Sequence, residues 1–350
     1  MKIAQIAPLA EAVPPKLYGG TERIVAYLTD ALVELGHDVT LYASGDSETT
    51  AKLDAVWPRA LRLDPEVRDY IAPQIILLEK VAARAKDFDI LHIHCDYLAF
   101  PLLSRVNVPI VATLHGRLDL PELRPLYECY PKVPIVSISN SQREPLPEAN
   151  FVSTVYHGVS DKHLHFGTGD KGYLAFIGRI SPEKGPEAAI RIAKAAGMKL
   201  RIAAKVDRVD QAYFNERVEP LIRDNPDVEF IGEIAEHQKS EFLGNAAALI
   251  FPIAWREPFG LVMIEAMACG TPVIATRWGS VPEVIDEGVT GFIVESEEEA
   301  VAATRRIASL DRKRVRQVFD AKYSSMRMAE NYVKLFERLI EEHKGQSGRG

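Results

Sequence analysis

Strand-like apolar runs alternate with helical patterns along almost the whole chain, and this alternation restricts the fold more than any other feature. Runs at 2–7, 38–43, 89–94, 109–114, 134–138 and 152–156 occupy the first half. Runs at 173–178, 199–204, 227–231, 247–252, 272–276 and 291–294 occupy the second. Helical periodicity fits between them, as at 21–35, where Thr21 stands as the cap and Gly36 as the stop. Such alternation predicts parallel strands with crossover helices on both faces, the doubly wound α/β arrangement. A chain of 350 residues exceeds one ordinary core, so two Rossmann-like domains facing a cleft are expected. The glycine-rich segment 157–172 is the expected join. It divides the chain into an N-terminal domain over 1–160 and a C-terminal one over 161–320. An amphipathic helix follows within 321–343, then a loose tail over 344–350.

Composition excludes several classes of partner. The formal net charge of −7 argues against a protein that holds nucleic acid on a general basic surface. The three cysteines, Cys95, Cys129 and Cys269, are dispersed with neither metal spacing nor a disulfide framework, as suits a reducing cytoplasm. The opening run reads as a first strand rather than a leader, and no apolar run reaches the length of a membrane span. The helical stretch 74–86 sets Lys80, Arg84 and Lys86 beside Ile75, Ile76, Leu78 and Val81. It reads as core-packed, with peripheral membrane contact as the alternative.

The chemistry concentrates at 256–265, where Glu257 and Glu265 stand eight positions apart. The run 247–252 reads as a buried strand, Pro258 and Gly260 mark the turn out of it, and a helix from about Phe259 ends at Gly270. Glu257 then precedes the helix, with Glu265 roughly 9–12 Å further along its axis. The free N–H groups and positive dipole end between them suit a phosphate. A ligand with a polyol at one end, a diphosphate in the middle and a ribose at the other fits that spacing. On spacing alone, two solvated helix glutamates fit it equally well.

Other strand ends carry matching chemistry. Gly178-Arg179 and Lys184-Gly185 bound a loop after a strand and offer a guanidinium fork and a mobile ammonium. Lys205, at the end of the next strand, adds a third positive charge. Tyr18-Gly19-Gly20-Thr21-Glu22-Arg23 opens the first helix, where paired glycines allow close approach to an anion. The dinucleotide fingerprint is absent there, which counts against a hydride-transfer enzyme. His115 ends a strand before Gly116. His92 and His94 share a face by alternation, and with Asp96 they form an alternative reading as a metal site. The Asp87-Phe88-Asp89 run matches the D-x-D of metal-dependent sugar transferases but precedes its strand, so it reads as a helix-to-strand turn. Ser280 to Glu283 fits a capping box.

Together these motifs resemble the family 4 retaining glycosyltransferases, which have the GT-B fold. The similarity runs through nearly the whole chain and is strongest over 173–294. Glu257 and Glu265 match the family's E-x7-E motif, Gly178-Arg179 and Lys184-Gly185 its phosphate clamp, and Gly19-Gly20 its N-terminal glycine loop. Thr113-Leu114-His115-Gly116 matches its histidine motif, and 279–283 a turn after the E-x7-E helix.

The resemblance implies that Arg179, Lys184 and Lys205 hold a donor diphosphate with Gly19, Gly20, Phe259, Gly260, Leu261 and Val262. Glu265 would take the ribose, Glu257 the sugar hydroxyls, and His115 the sugar near the reacting centre, making Glu257 and His115 the catalytic pair. It also implies retention of configuration, no divalent metal or other cofactor, and a C-terminal helix crossing back to the N-terminal domain. The favoured donor is a UDP-sugar, with GDP- and ADP-sugars as alternatives. The acceptor is a small molecule, a glycan or a lipid-linked group, with Tyr18, Arg23, Tyr97, Arg117 and Asp119 as candidate contacts. Arg117 and Asp119 depart from the commonest pattern after the histidine, and their segment resembles that of a pteridine glucosyltransferase. The competing readings are a sugar-nucleotide epimerase of the same fold and a non-catalytic nucleotide-sugar-binding module.

Overall fold

A computed structural model describes residues 1–16 and 19–347. Two units emerge, 1–158 with 325–350, and 159–324. Each is built on one all-parallel sheet.

In the first unit the strands are β1 (Lys2–Ile6), β2 (Asp38–Ser44), β3 (Lys52–Trp57), β4 (Ile90–Ile93), β5 (Ile110–Thr113), β6 (Ile135–Ser137) and β7 (Phe151–Thr154). Their order is β3-β2-β1-β4-β5-β6-β7. The order reverses direction between β1 and β4, and ligands of such sheets bind at the carboxyl ends beside that reversal. β4 is buried along its whole length, as a strand covered on both faces must be. β3 was not among the expected strands. It lies at the sheet edge with a partly solvated pattern, so it carries no continuous apolar run.

The second unit holds β8 (Leu174–Arg179), β9 (Leu200–Lys205), β10 (Val228–Gly232), β11 (Ala248–Phe251), β12 (Val273–Thr276) and β13 (Gly291–Val294). They lie in the order β10-β9-β8-β11-β12-β13. Its reversal falls between β8 and β11, the two strands whose ends carry Arg179 and the Glu257 loop.

Six helices matter below: α1 (Gly20–Glu34), α2 (Ile71–Ala83), α3 (Pro186–Ala196), α4 (Glu236–Gly244), α5 (Leu261–Ala268) and α6 (Ser325–Ser347). Thr21 is not the cap of α1; Gly19 is, in an extended conformation and without a side-chain bond. A Cβ on Gly19 would stand 2.8 Å from Pro15 Cβ, so close packing demands glycine there. The Ser280 capping box does not form either. The Ser280 hydroxyl instead donates to the Phe259 carbonyl at 2.6 Å, fastening the loop before α5. The stretch expected as one helix over 74–86 is α2 followed by a separate 3-10 turn at Ala85–Asp87. That turn leads straight into β4, which makes Asp87-Phe88-Asp89 a helix-to-strand connection.

The amphipathic C-terminal helix is longer than its apolar pattern indicated, and it packs in the first unit against α1. Tyr332, Leu335, Phe336 and Leu339 are buried, which accounts for its return to that unit. Among the described residues no helix is long and apolar enough to cross a membrane.

Candidate active site

In the second unit, β8 and β11 deliver two loops side by side. Gly185 adopts φ +71°, and a Cβ there would collide with the Pro252 carbonyl. The Ala254 N–H donates to the Glu183 carbonyl at 2.9 Å across the same seam. The Lys184 ammonium is thereby placed against Glu257 Oε2 in a close ion pair, 5.0 Å from the Trp255 ring centroid. The Trp255 indole N–H donates to the same carboxylate oxygen at 2.9 Å. Gly279, at φ +57°, lies directly on the Glu257 backbone, where any side chain would clash. The Ser280 N–H donates to the Glu257 carbonyl at 3.0 Å. The turn after α5 therefore braces the loop before it.

Helix α5 starts after Gly260, which is left-handed at φ +80°. The N–H groups of Leu261 and Val262 lie in its first turn and have no intrahelical acceptor, which makes that end receptive to an anion. Phe259 is buried and packs on Tyr323 at 6.4 Å. Its side chain is a wedge beneath the loop. Glu265 lies in the body of α5, 3% exposed, and accepts from Lys239 at 2.7 Å.

Each expected phosphate-binding cation is paired with carboxylate. Arg179 contacts Glu183 at 2.5 Å, Asp210 at 3.6 Å and Asp207 at 4.0 Å. Lys205 contacts Asp207 at 2.9 Å. Burial pushes the Glu183 carboxyl up, but its backbone bond, Ser181 and Arg179 outweigh that and hold it below the usual value.

The first unit carries a buried polar cluster at the carboxyl ends of β1, β4 and β5. His94 Nε2 bonds Gln5 Oε1 at 2.6 Å, and His94 Nδ1 bonds His115 Nε2 at 2.9 Å. With the Gln5 carbonyl oxygen facing His94, as the structure assigns it, Nε2 of each imidazole carries the proton. His115 Nδ1 is then a bare acceptor with no partner among the described residues. His92 Nε2 bonds Thr113 Oγ1 at 2.7 Å, and that hydroxyl bonds the Tyr332 hydroxyl at 2.8 Å. His157 stacks on His115 with ring centroids 5.2 Å apart. Burial holds all four imidazoles below their usual range, His115 at about 3 and the others well down.

Asp96, after β4, is the single non-glycine among the described residues with positive φ, at +47°. Desolvation pushes its carboxyl up to about 6, against a backbone bond from His115. The metal reading of His92, His94 and Asp96 meets imidazole nitrogens already bonded to Gln5, Thr113 and His115. Among the described residues no group of three or more His, Cys, Asp or Glu is arranged to hold a metal ion.

Two of the acceptor candidates are in contact. Arg117 and Asp119 bond each other at 2.6 and 2.9 Å. Tyr97 is exposed, and the Arg23 N–H closes the first turn of α1 onto the Gly19 carbonyl at 3.2 Å. Tyr18 lies outside the described residues.

Sequence reasoning missed Trp255, Lys239, Asp207, Asp210 and Gln5. Trp255 and the two aspartates sit within a few positions of recognisable motifs and were open to notice. Lys239 and Gln5 carry no local signal, because each meets its partner only through strand order.

The comparisons with known proteins agree with this architecture. A model described as glycosyl transferases group 1 matches residues 163–323, and one described as glycosyltransferase family 4 matches residues 18–159. N-acetyl-alpha-D-glucosaminyl L-malate synthase of Bacillus anthracis is 30% identical over 79% of this chain and 81% of its own. The sucrose-phosphate synthase structure from Thermosynechococcus elongatus superposes with a TM-score of 0.79 at 20% identity, covering 98% and 100% of the two chains. The Anabaena HepE structure in complex with UDP and glucose gives 0.73 at 17% identity, covering 97% and 100%. The chain belongs to the group 1 glycosyltransferases and has the GT-B fold with two Rossmann-like domains. It is a transferase enzyme of a family whose members transfer sugars.

Proposed function

We propose that this enzyme moves a hexose from a nucleoside diphosphate sugar, UDP-sugar first among them, to an acceptor hydroxyl. It would retain anomeric configuration and need no divalent metal. The observation that supports this most is the Lys184–Glu257 ion pair at the β8/β11 reversal, with Glu257 four residues before the amide end of α5 and Glu265 on that helix. A diphosphate supplies the negative charge that Lys184 and Arg179 take in exchange for their carboxylates. Glu257, freed from Lys184, then accepts from sugar hydroxyls, and Glu265 from the ribose. Those cations and the first-turn N–H groups stabilise the charge that develops on the leaving diphosphate. The UDP and glucose bound by the Anabaena neighbour are consistent with such a donor. The first unit is assigned the acceptor, and His115, with its bare Nδ1, the contact with the sugar.

The donor is identified by thermal shift against UDP-, GDP- and ADP-sugars and the free nucleotides. A ligand at about 100 times its dissociation constant adds roughly 2.7 kcal/mol of stability, a readable shift. One sugar nucleotide is expected to stand out, and a flat panel would count against the donor reading and the nucleotide-sugar-binding module alike. Turnover is expected to persist in excess chelator. Complete loss, restored by magnesium or manganese, would overturn the metal-free reading.

A further inference from the structure

Lys239 belongs to none of the sequence motifs. It lies on α4, whose start is secured by Gln238 Oε1 accepting from the Ala235 N–H at 2.8 Å. Its ammonium stands 2.7 Å from Glu265 Oε1 and 3.0 Å from Glu236 Oε2. The side chains of Lys239 and Glu265 are only 14% and 4% exposed. An ion pair this dry needs good geometry to offset the desolvation of both partners, and removing one partner leaves an uncompensated charge.

The arrangement also limits what Glu265 can do. Its backbone is fixed within α5, and Oε1 is engaged by Lys239, which leaves Oε2 to accept from a ligand. The thiol of Cys269, four positions on, is pushed up to about 12, chiefly by burial and then by the Glu265 charge. Glu236 anchors the ammonium from the other side, so Lys239 cannot swing away without abandoning two partners.

We propose that Lys239 is the positioning residue for ribose recognition: it orients the Glu265 carboxylate so that Oε2 meets a ribose hydroxyl of the donor. The proposal rests on the assignment of Glu265 to the ribose. Lys239 itself touches no substrate and acts through Glu265. Its specific consequence is a preference for ribose over deoxyribose, which a merely structural lysine would not create.

The test is calorimetric affinity of the full chain for UDP, 2′-deoxy-UDP and 3′-deoxy-UDP, or the matching series if the panel selects another base. A hydrogen bond to a charged group predicts that the wild type favours UDP over one of the deoxy analogues by roughly tenfold or more. In Lys239→Met that ratio is expected to fall to within about twofold of unity, with UDP still bound through its diphosphate. Lys239→Arg, which keeps the charge, is expected to recover much of the preference. If Lys239→Met melts below the assay temperature, the same series is run at a lower temperature at which the variant is folded. An unchanged ratio in the folded variant overturns the proposal. A wild type that binds UDP with no preference for ribose removes the Glu265 assignment beneath it. A chain that binds no nucleotide at all removes the donor reading itself.

Discussion

Lowering the pH from 8 to 5 is expected to strip the enzyme of a large part of its folding stability, beginning in the first unit. His92, His94 and His157 are 0%, 1% and 4% exposed, and burial holds each imidazole well below its ordinary range. His115 beside them is lowered to about 3. In the folded chain these rings stay neutral through mild acid, whereas in the unfolded chain they take up protons near pH 6.5. Their contribution is fully present above that value and is lost as pH falls toward the depressed folded values. Each imidazole costs on the order of 1 kcal/mol per pH unit over that window. Three or four together amount to several kcal/mol by pH 5, against a total stability of about 5–15 kcal/mol. The measurement is chemical or thermal unfolding across pH 8 to 5. A melting temperature that stays level over that range would sink the prediction. Among the described residues no buried histidine belongs to the second unit, so hydrogen exchange should quicken first in β1, β4 and β5.

The second large effect is on donor binding. Lys184→Ala is expected to weaken affinity for the donor nucleotide by about a hundredfold, the scale of a lost charge-assisted bond. The fold should survive, because Lys184 ends a short 3-10 turn, its side chain is 21% exposed, and Glu257 keeps its bond from the Trp255 indole. Unchanged affinity by calorimetry would show that the ammonium does not meet the phosphates. Lys184→Arg is a useful comparison, since a guanidinium keeps the charge and can stack on the indole but replaces a compact ammonium with a planar fork. The prediction follows from the proposed partner exchange: Lys184 is paired with Glu257, and a diphosphate would compete with that carboxylate for the ammonium.

Much of this site is legible in the order of the residues. A parallel strand covered by helices reads as a mostly apolar run, so twelve strands announce themselves along the chain, the partly exposed edge strands β7 and β10 among them. Among the described residues the edge strand β3, interrupted by the charged Lys52 and Asp54, escapes. Glycine positions are equally readable in kind, but Gly185 and Gly279 show why they are needed: each lies against the backbone of a loop arriving from another strand. Capping is less legible. Thr21 and Ser280 both fit local cap patterns, and both lose to tertiary demands, one to close packing at Gly19 and one to the Phe259 carbonyl.

The sequence by itself determined the strand and helix alternation, the placing of functional residues at strand carboxyl ends, and the spacing of Glu257 and Glu265. These are properties of neighbouring residues, and periodicity and turn chemistry express them locally. Tertiary structure alone decided which charges meet. Lys239 reaches Glu265 across 26 positions and Gln5 reaches His94 across 89, while Tyr332 finds Thr113 across 219. No local pattern encodes such pairs, because they depend on strand order and on a terminal helix returning to the first unit. Glu183 reaches Arg179 from only four positions along the chain, but the same dependence holds for Asp207 and Asp210 on Arg179 and for Glu257 on Lys184. Their contacts are set by how loops from β8, β9 and β11 converge, and desolvation at that meeting point gives each ion pair its weight.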